Sequence, residues 1–184
     1  MRILLFCLAF LAAPAWSDPE IYQLDVERSD VGFTYMFEGS EKRGTMPVQS
    51  ARMRIDLDNV PASEVNVTLN PSKARAGFIF ATQVMKGPEI LDTRNHPAIQ
   101  FRSTSIRGDL RGAIVTGDLT VRGVTRPVAL QAGLFRQRGT EVGDRDNLTV
   151  LLTGAINRND FGADGFGSYV GPMIGLRIIA RISR

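Results

Sequence analysis

Two carboxylates near the C-terminus are the residues whose spacing most suggests catalysis. Asp160 and Asp164 flank Phe161-Gly162, and a carboxylate pair of this kind can act as general acid and base. The surrounding stretch is polar and rich in glycine, which is typical of solvated loop carboxylates, and Asp160 is a residue type that begins turns. Because no nucleophile, metal set or phosphate cradle accompanies the pair, the pattern favours a loop over an active site.

The remaining candidates for chemistry are a histidine and a serine-containing loop. His96 is the only histidine and stands in Asn-His-Pro before an expected strand, which indicates a turn residue with a hydrogen-bonded ring. Residues 165–169, Gly-Phe-Gly-Ser-Tyr, lack both the glycine spacing and the preceding strand of a serine nucleophile elbow. One histidine and one cysteine do not make a zinc or copper site. We therefore predict no catalytic residues, no metal and no cofactor.

The first residues predict export. Arg2 supplies a positive charge, residues 3–13 are an unbroken apolar run, and Ala15 and Ser17 are small residues of the kind a signal peptidase reads. The apolar run covers only about half of a bilayer core, so a membrane anchor is the weaker interpretation. We predict a signal peptide over residues 1–17, with cleavage after Ser17 or, alternatively, after Ala15. The protein is then expected in the periplasm.

The rest of the chain, residues 18–184, is predicted to be one domain held by its core alone. Cys7 is the only cysteine and lies within the signal, so the mature chain has no thiol for a disulfide or a metal. Its length suits one hydrophobic core rather than two. The formal net charge of the whole 184-residue chain is only +3, from 22 basic and 19 acidic residues that are scattered along the sequence. Such a balance excludes the basic field that nucleic-acid binding requires.

Apolar and polar residues alternate with a period of two over most of this domain, as in residues 51–58, 113–122 and 174–182. In a strand, this period puts the apolar side chains on one face, as in antiparallel sheets with one wet side. The pattern predicts eight or nine strands separated by turn signals. One segment, around residues 78–91, instead predicts a short helix interrupted near Gly87-Pro88.

So many short strands in one domain need a way to remove exposed sheet edges. A closed barrel does this, and a β-sandwich is the rival architecture. We predict an all-β fold, a closed antiparallel barrel of about eight strands with the one short helical segment. A barrel of this size is either filled by its own side chains or holds one small ligand, and the periodicity leaves both alternatives open.

Bulky apolar residues provide the candidate binding site. Phe33, Tyr35 and Phe37 share one strand face, and further aromatic residues stand in the helical segment. We predict that these side chains line an apolar tunnel whose mouth includes the helix, the alternative being plain barrel core. The full candidate set is Phe33, Tyr35, Phe37, Phe78, Phe80, Met85, Ile99, Phe101, Leu119, Val121, Leu152, Phe161 and Ile178.

Four motifs follow one another along the mature chain. They are residues 31–34 (Val-Gly-Phe-Thr), residues 87–92 with 96–101, residues 117–128, and residues 157–162. Their order resembles the YceI family of bacterial lipid-binding proteins. The resemblance implies an eight-stranded, lipocalin-like barrel exported to the periplasm, an isoprenoid or other long acyl chain threaded through it, and no catalysis. The chain departs from the family pattern at residues 28–30, Arg-Ser-Asp, where the family often has a histidine, and at residues 71–77, which lack the acidic and histidine residues often present there. These departures bear on the head group of the lipid more than on the tunnel for its chain.

The main hypothesis is a periplasmic carrier or scavenger of a polyisoprenoid-like lipid, such as a quinone or prenyl chain. The expected partner is a long-chain lipid, while contact with a membrane or a membrane protein and a dimeric state are left open. The first alternative is a filled barrel that serves as a stress-related or partner-binding module without a lipid. The second is an isomerase or hydrolase that uses the acidic loop near Asp160.

Overall fold

The computed structural model describes residues 19–184, and the predicted signal peptide (1–17) with its Cys7 lies outside the described residues. The strands are β1 Glu20–Leu24, β2 Asp30–Phe37, β3 Ser40–Thr45, β4 Val48–Ile55, β5 Glu64–Leu69, β6 Ile99–Asp109, β7 Gly112–Val121, β8 Val124–Arg136, β9 Asn147–Asn157 and β10 Val170–Ser183. Helix α1 is Ile79–Lys86, and short 3₁₀ helices occur at Val60–Ala62, Pro71–Lys73 and Arg158–Phe161.

The strands form one antiparallel sheet that closes on itself. Its order is β1-β4-β5-β6-β7-β8-β9-β10, and β1 returns to β10 through the pairs Gln23↔Ser183 and Leu24↔Ile182. Strand β2 follows β1 along the same edge of β10, and β3 pairs with β2 and leads into β4. The ten strands of the described chain therefore occupy eight positions in the wall. The predicted closed barrel of about eight strands is confirmed, and closure pairs the sheet edges that an open sheet would expose.

The helical segment is shorter than the range expected from the sequence. Helix α1 ends at Lys86, because Gly87 has an extended backbone with φ −70° and ψ 172° and Pro88 has no N–H to continue the hydrogen-bond ladder. Beyond it the chain turns back, and the amide of Leu91 donates to the carbonyl oxygen of Met85 over 3.0 Å. The interruption expected at Gly87-Pro88 is thus the end of the helix.

The β7–β8 hairpin secures this turn. Arg122 and Gly123 form a two-residue loop with φ of 51° and 74°, and two successive positive values are the signature of a type I′ turn that matches the twist of paired strands. The Arg122 guanidinium donates through Nη1 to the carbonyl oxygens of Pro88 and Ile90, at 2.8 and 2.9 Å. The loop therefore anchors the segment that follows α1.

Two packed clusters lie inside the barrel, one toward each end. At the helix end, where the connections β5–β6, β7–β8 and β9–β10 lie, the buried side chains are Ile99, Leu119, Val121 and Phe161. At the opposite end, where the connections β4–β5, β6–β7 and β8–β9 lie, they are Tyr22, Met53, Leu57, Leu148 and Ile182. Both clusters combine residues from several strands, so each end of the wall is held together by its own core.

Candidate functional site

The interior of the barrel contains a cavity of about 330 Å³. Its walls are the inward-facing side chains of β1, β2 and β4 to β10, and one side is bordered by Met85 of α1 with Ile90 and Leu91 of the following turn. Members of both packed clusters line it, so the cavity extends from one cluster to the other. Apolar side chains at alternate strand positions produce this lining, as the period of two requires.

The exposure of the inward-facing residues shows that the barrel is hollow. Leu152 on β9 and Ile178 on β10 are direct cross-strand partners and both line the cavity. Each is only half-buried, although it faces inward. In a close-packed core, such side chains would be covered on all sides by their neighbours. The periodicity left a filled and a hollow barrel open, and the packing decides for the hollow one.

Polar groups are scarce in the lining. Among residues 19–184, the lining side chains with nitrogen or oxygen atoms are Ser29, Ser63, Asp109 and Arg158. The hydroxyl oxygen of Ser63 accepts a hydrogen bond from the backbone amide that follows β4, at 3.0 Å, and that of Ser29 accepts one from a backbone amide of β10, at 2.9 Å. Asp109 is held by hydrogen bonds from Arg111, which lower the pKa of its carboxyl group.

Arg158 is a buried cation in the lining, and its guanidinium binds the backbone of the surrounding residues. Its guanidinium donates hydrogen bonds to backbone carbonyl oxygens, those of Ala163, Gly165 (2.8 Å), Val170 (2.9 Å) and Gly171 (3.0 Å). Burial lowers the pKa of Arg158, and the charge of Asp164 partly opposes that shift. The guanidinium remains charged at neutral pH and organises the β9–β10 connection at the helix end. Its donors are thus used on protein carbonyls.

Nine of the predicted site residues line the cavity in the described structure. They are Phe33, Met85, Ile99, Phe101, Leu119, Val121, Leu152, Phe161 and Ile178. Four of these, Ile99, Leu119, Val121 and Phe161, also form the packed cluster at the helix end. The structure brings the nine together around one space, and contact with a ligand stays a prediction.

The other four predicted residues lie outside the lining. Tyr35 is buried on the same strand face as Phe33, but its hydroxyl donates to the carbonyl oxygen of Ala76 over 2.6 Å. The ring of Phe37 meets that of Phe78 edge-on, with centroids 5.7 Å apart, and Phe80 is 64% exposed. The physical reason is that residues 74–78 cross the end of β2, so aromatic side chains there pack on this segment instead of facing the lumen.

Several lining residues were not among the candidates. Aliphatic side chains on β2, β4, β5, β9 and β10 supply much of the wall, including Val31, Met53, Val65, Val67, Val150 and Leu176. All of them belong to the same alternating rows as the predicted residues. The alternation was therefore a sufficient signal, and the emphasis on aromatic residues left the smaller aliphatic ones out.

The residues considered for catalysis do not converge. Asp160 and Asp164 are exposed and neither lines the cavity. The backbone amide of His96 donates to the carbonyl oxygen of Asp92 at 2.8 Å, in the turn before β6, and the His96 ring lies against Gly123. Within residues 19–184 no three His, Cys, Asp or Glu side chains come close enough to hold a metal ion. In the same part of the chain, no helix has the length and apolarity needed to cross a membrane.

A closed eight-stranded antiparallel barrel with an apolar interior cavity defines the class of lipocalin-like barrels. Within that class, this chain belongs to the YceI family, because the model of the YceI-like domain matches residues 22–182. The resemblance found in the four sequence motifs is therefore confirmed over nearly the whole described chain.

The individual relatives have low sequence identity to this chain. The Escherichia coli O157:H7 protein named YceI is 31% identical over 107 residues, which cover 58% of this chain and 53% of that protein. The chain thus spans about half the length of the curated relatives it matches. Among solved structures, Burkholderia cenocepacia BcnA has a TM-score of 0.76 at 16% identity, covering 88% of this chain and all of its own. A polyisoprenoid binding domain from Saccharophagus degradans, implicated in plant cell wall breakdown, has a TM-score of 0.65 at 12% identity and covers 88% and 97%. At these identities the two structures show the shared fold.

Proposed function

We propose that this protein binds the apolar chain of a long lipid, of polyisoprenoid, quinone or acyl type, inside its barrel. The observation that carries the proposal is the hollow, almost entirely apolar interior. The Saccharophagus degradans domain of the same fold, described as polyisoprenoid-binding, supports the same ligand class. The filled-barrel alternative loses its structural premise, because inward-facing residues such as Leu152 and Ile178 are not fully covered.

The energetics of such a ligand are favourable without any ion pair. A volume of about 330 Å³ lies at the small end of the roughly 300–1,000 Å³ typical of ligand sites, so a short stretch of chain fills it. Burying each methylene contributes about 0.8 kcal/mol, and ten carbons therefore contribute roughly 8 kcal/mol. That sum offsets much of the roughly 4–15 kcal/mol that immobilising a ligand costs. Because the polar lining groups already have protein partners, selection depends on shape and apolarity.

The proposed role is binding or carriage without chemical conversion. The carboxylates that suggested acid–base chemistry, Asp160 and Asp164, are exposed and do not line the cavity. The periplasm is the proposed location, and it rests on the charged, apolar and small-residue pattern of residues 1–17. A long apolar chain is poorly soluble in water, so a carrier in an aqueous compartment has to enclose it.

Native mass spectrometry of the protein purified from its own host tests the proposal. The expected spectrum shows the protein with a noncovalent adduct that is released as an intact lipid on activation. Reloading of lipid-free protein with a long-chain prenyl alcohol is the second measurement, and a fully water-soluble short alcohol is the matched control ligand. A bare mass from the host, together with no uptake of the prenyl alcohol, contradicts lipid binding. Conversion of the added lipid to a new product contradicts the purely binding role.

A further inference from the structure

An exposed apolar surface lies at the helix end, outside the cavity. Phe78, Ile79 and Phe80 are consecutive and are 39, 80 and 64% exposed. The ring of Phe37 extends this surface through its edge-on contact with Phe78. We call these residues the Phe78–Phe80 surface. Contiguous exposed apolar side chains of this kind mark an interaction site, since a single scattered one would need no explanation.

The segment that carries this surface also contains a group of cations. From Pro71 to Lys86 the sequence contains Lys73, Arg75 and Lys86 and no carboxylate. The three cationic residues lie together, because all of them border one shallow surface depression beside Thr82. Aromatic and aliphatic side chains beside lysine and arginine are typical of segments that bind at a membrane interface.

The neighbouring strand adds to this positive charge. Arg75 forms an antiparallel bridge with Thr45, with backbone hydrogen bonds of 2.8 and 2.9 Å, and so lies beside the end of β3. Strand β3 carries Lys42 and Arg43. Its one carboxylate, Glu41, lies 3.8 Å from Arg43 in an exposed pair, which cancels one of the two charges at most. The rim formed by Lys42, Arg43, Lys73, Arg75 and Lys86 has five cations against the two carboxylates of the β2–β3 hairpin, Glu38 and Glu41, and is therefore net positive.

Helix α1 has two apolar faces with different surroundings. Met85 borders the cavity, whereas Ile79 and Phe80 at the start of the helix are turned to solvent. One short segment thus separates the exposed surface from the interior of the barrel. A surface that rested on a bilayer here would place the cavity wall next to the acyl region.

We infer that the Phe78–Phe80 surface docks the protein onto an anionic lipid bilayer. The exposed apolar side chains enter the interface, and Lys73, Arg75 and Lys86 contact the acidic headgroups. Charge complementarity selects this partner, because an apolar protein surface would not require a rim of cations free of carboxylates along the whole segment. Docking does not depend on what the cavity holds.

Vesicle flotation measures the docking directly. Lipid-free full-length mature protein is mixed with vesicles of phosphatidylcholine alone, or of an equal mixture of phosphatidylcholine and phosphatidylglycerol. The expected result is binding to the anionic vesicles, weak binding to the neutral ones, and loss of binding as salt screens the charges. Absence of binding to the anionic vesicles at low salt, or equal binding to both kinds, overturns the inference and leaves the surface to a protein partner.

Paired variants assign the binding to this surface. Ile79→Ser with Phe80→Ser removes exposed apolar groups and is expected to weaken binding about tenfold or more. Its control is Phe135→Ser with Val142→Ser, which are 54 and 93% exposed at the opposite end. All four side chains are largely solvent-exposed, so the thermal midpoint should stay the same. Equal loss of binding in the control pair overturns the assignment.

Charge variants test the rim. Lys73→Gln with Arg75→Gln is expected to weaken binding about fivefold per charge, or roughly 25-fold together. The backbone bridge of Arg75 to Thr45 is unaffected by this change. The control is Arg107→Gln with Arg138→Gln, two exposed cations near the opposite end. Loss in the control as large as in the rim variant overturns the inference. Retained lipid in the same variants, read by native mass spectrometry, shows separately whether the proposed function holds.

Discussion

The Arg122 guanidinium donates a 2.9 Å hydrogen bond to the carbonyl oxygen of Ile90. This contact joins the tip of the β7–β8 hairpin to the turn after α1, and the Ile90 side chain lines the cavity. The turn after α1, which covers the helix end of the cavity, is therefore held by a charged donor on a type I′ loop. We therefore expect this bond to slow the release of a bound lipid at that end of the barrel.

Replacing this donor should weaken the attachment of the turn after α1. Arg122→Ala removes two hydrogen bonds from a charged group, and we expect the free energy of unfolding to fall by about 1–3 kcal/mol. Transfer of a bound fluorescent fatty acid to vesicles should become faster. Thermal unfolding and stopped-flow transfer are the measurements. Arg126→Ala on the same hairpin is the control, since Arg126 bonds only to the adjacent Thr125 carbonyl in the described structure. Matching midpoints and rates for both variants would contradict the role of Arg122.

A large side chain in the middle of the cavity should displace the lipid. Leu152→Trp and Ile178→Trp each add volume where the wall residues are only half-buried. The lipid-free protein should keep its thermal midpoint while the co-purified lipid decreases strongly. In a solid core, the same changes would overpack and cost roughly 1–3 kcal/mol. Thr153→Trp, one residue along β9, is the control with an outward-facing side chain. Unchanged lipid with a collapsed midpoint in both inward variants would contradict the cavity as the binding site.

The buried tyrosine at the helix end should make stability depend on alkaline pH. Burial raises the pKa of Tyr35 above its ordinary value of 10.0, so the hydroxyl ionises more readily in the unfolded chain. Its contribution to stability is fully present below about pH 10 and is lost as the pH rises toward the folded-state pKa. Urea unfolding between neutral and alkaline pH measures this slope.

Tyr35→Phe separates the hydrogen bond from the titration. At neutral pH it leaves the buried carbonyl oxygen of Ala76 without its 2.6 Å donor, and we expect a loss of about 1–3 kcal/mol. The same variant should show a shallower decline above pH 10, with the remaining slope partly due to Tyr22, whose pKa burial also raises. Tyr169→Phe is the exposed control and should match the original protein at neutral pH. An unchanged alkaline slope in Tyr35→Phe would refute the assignment.

The shape of Arg158 should matter as much as its charge. Lysine at this position keeps the charge but cannot direct donors to four carbonyl oxygens at once. We expect Arg158→Lys to lower the free energy of unfolding by about 2–4 kcal/mol, because buried carbonyls lose their donors. Arg177→Lys on the outer face of β10 is the matched control and should be nearly neutral. A neutral Arg158→Lys would mean that water replaces the guanidinium.

Export remains a prediction and has a direct test. Protein recovered from the periplasmic fraction should begin at or near Asp18 and contain no cysteine. N-terminal sequencing together with the intact mass measures both. A mature protein that retains Cys7 would contradict the signal-peptide prediction. A variant with Leu5→Arg in the apolar run should remain in the cytoplasm and serves as the control.

Alternation by itself determined much of the fold. Rows such as 51–57 and 174–182 place apolar side chains on one face of each strand, because successive residues of a strand point to opposite sides. A closed barrel pairs the unfavourable free edges of so many half-wet strands, and the structure confirms this prediction over the rival β-sandwich. The end of helix α1 at Gly87-Pro88 could also be predicted, because proline cannot continue a helix. The order of the four motifs also indicated the YceI family.

The hollow interior was decided only by the tertiary structure. A period of two tells which face of a strand is inward but not how far the opposite wall lies, and that distance depends on strand tilt and register around the whole barrel. The same limit explains the aromatic row of β2. Phe33, Tyr35 and Phe37 share one face, yet only Phe33 reaches the cavity, because residues 74–78, distant in sequence, cross over the other two. Local spacing carries no information about which later segment will cover a strand end, so the wall of the site could be predicted from the sequence and its boundary could not.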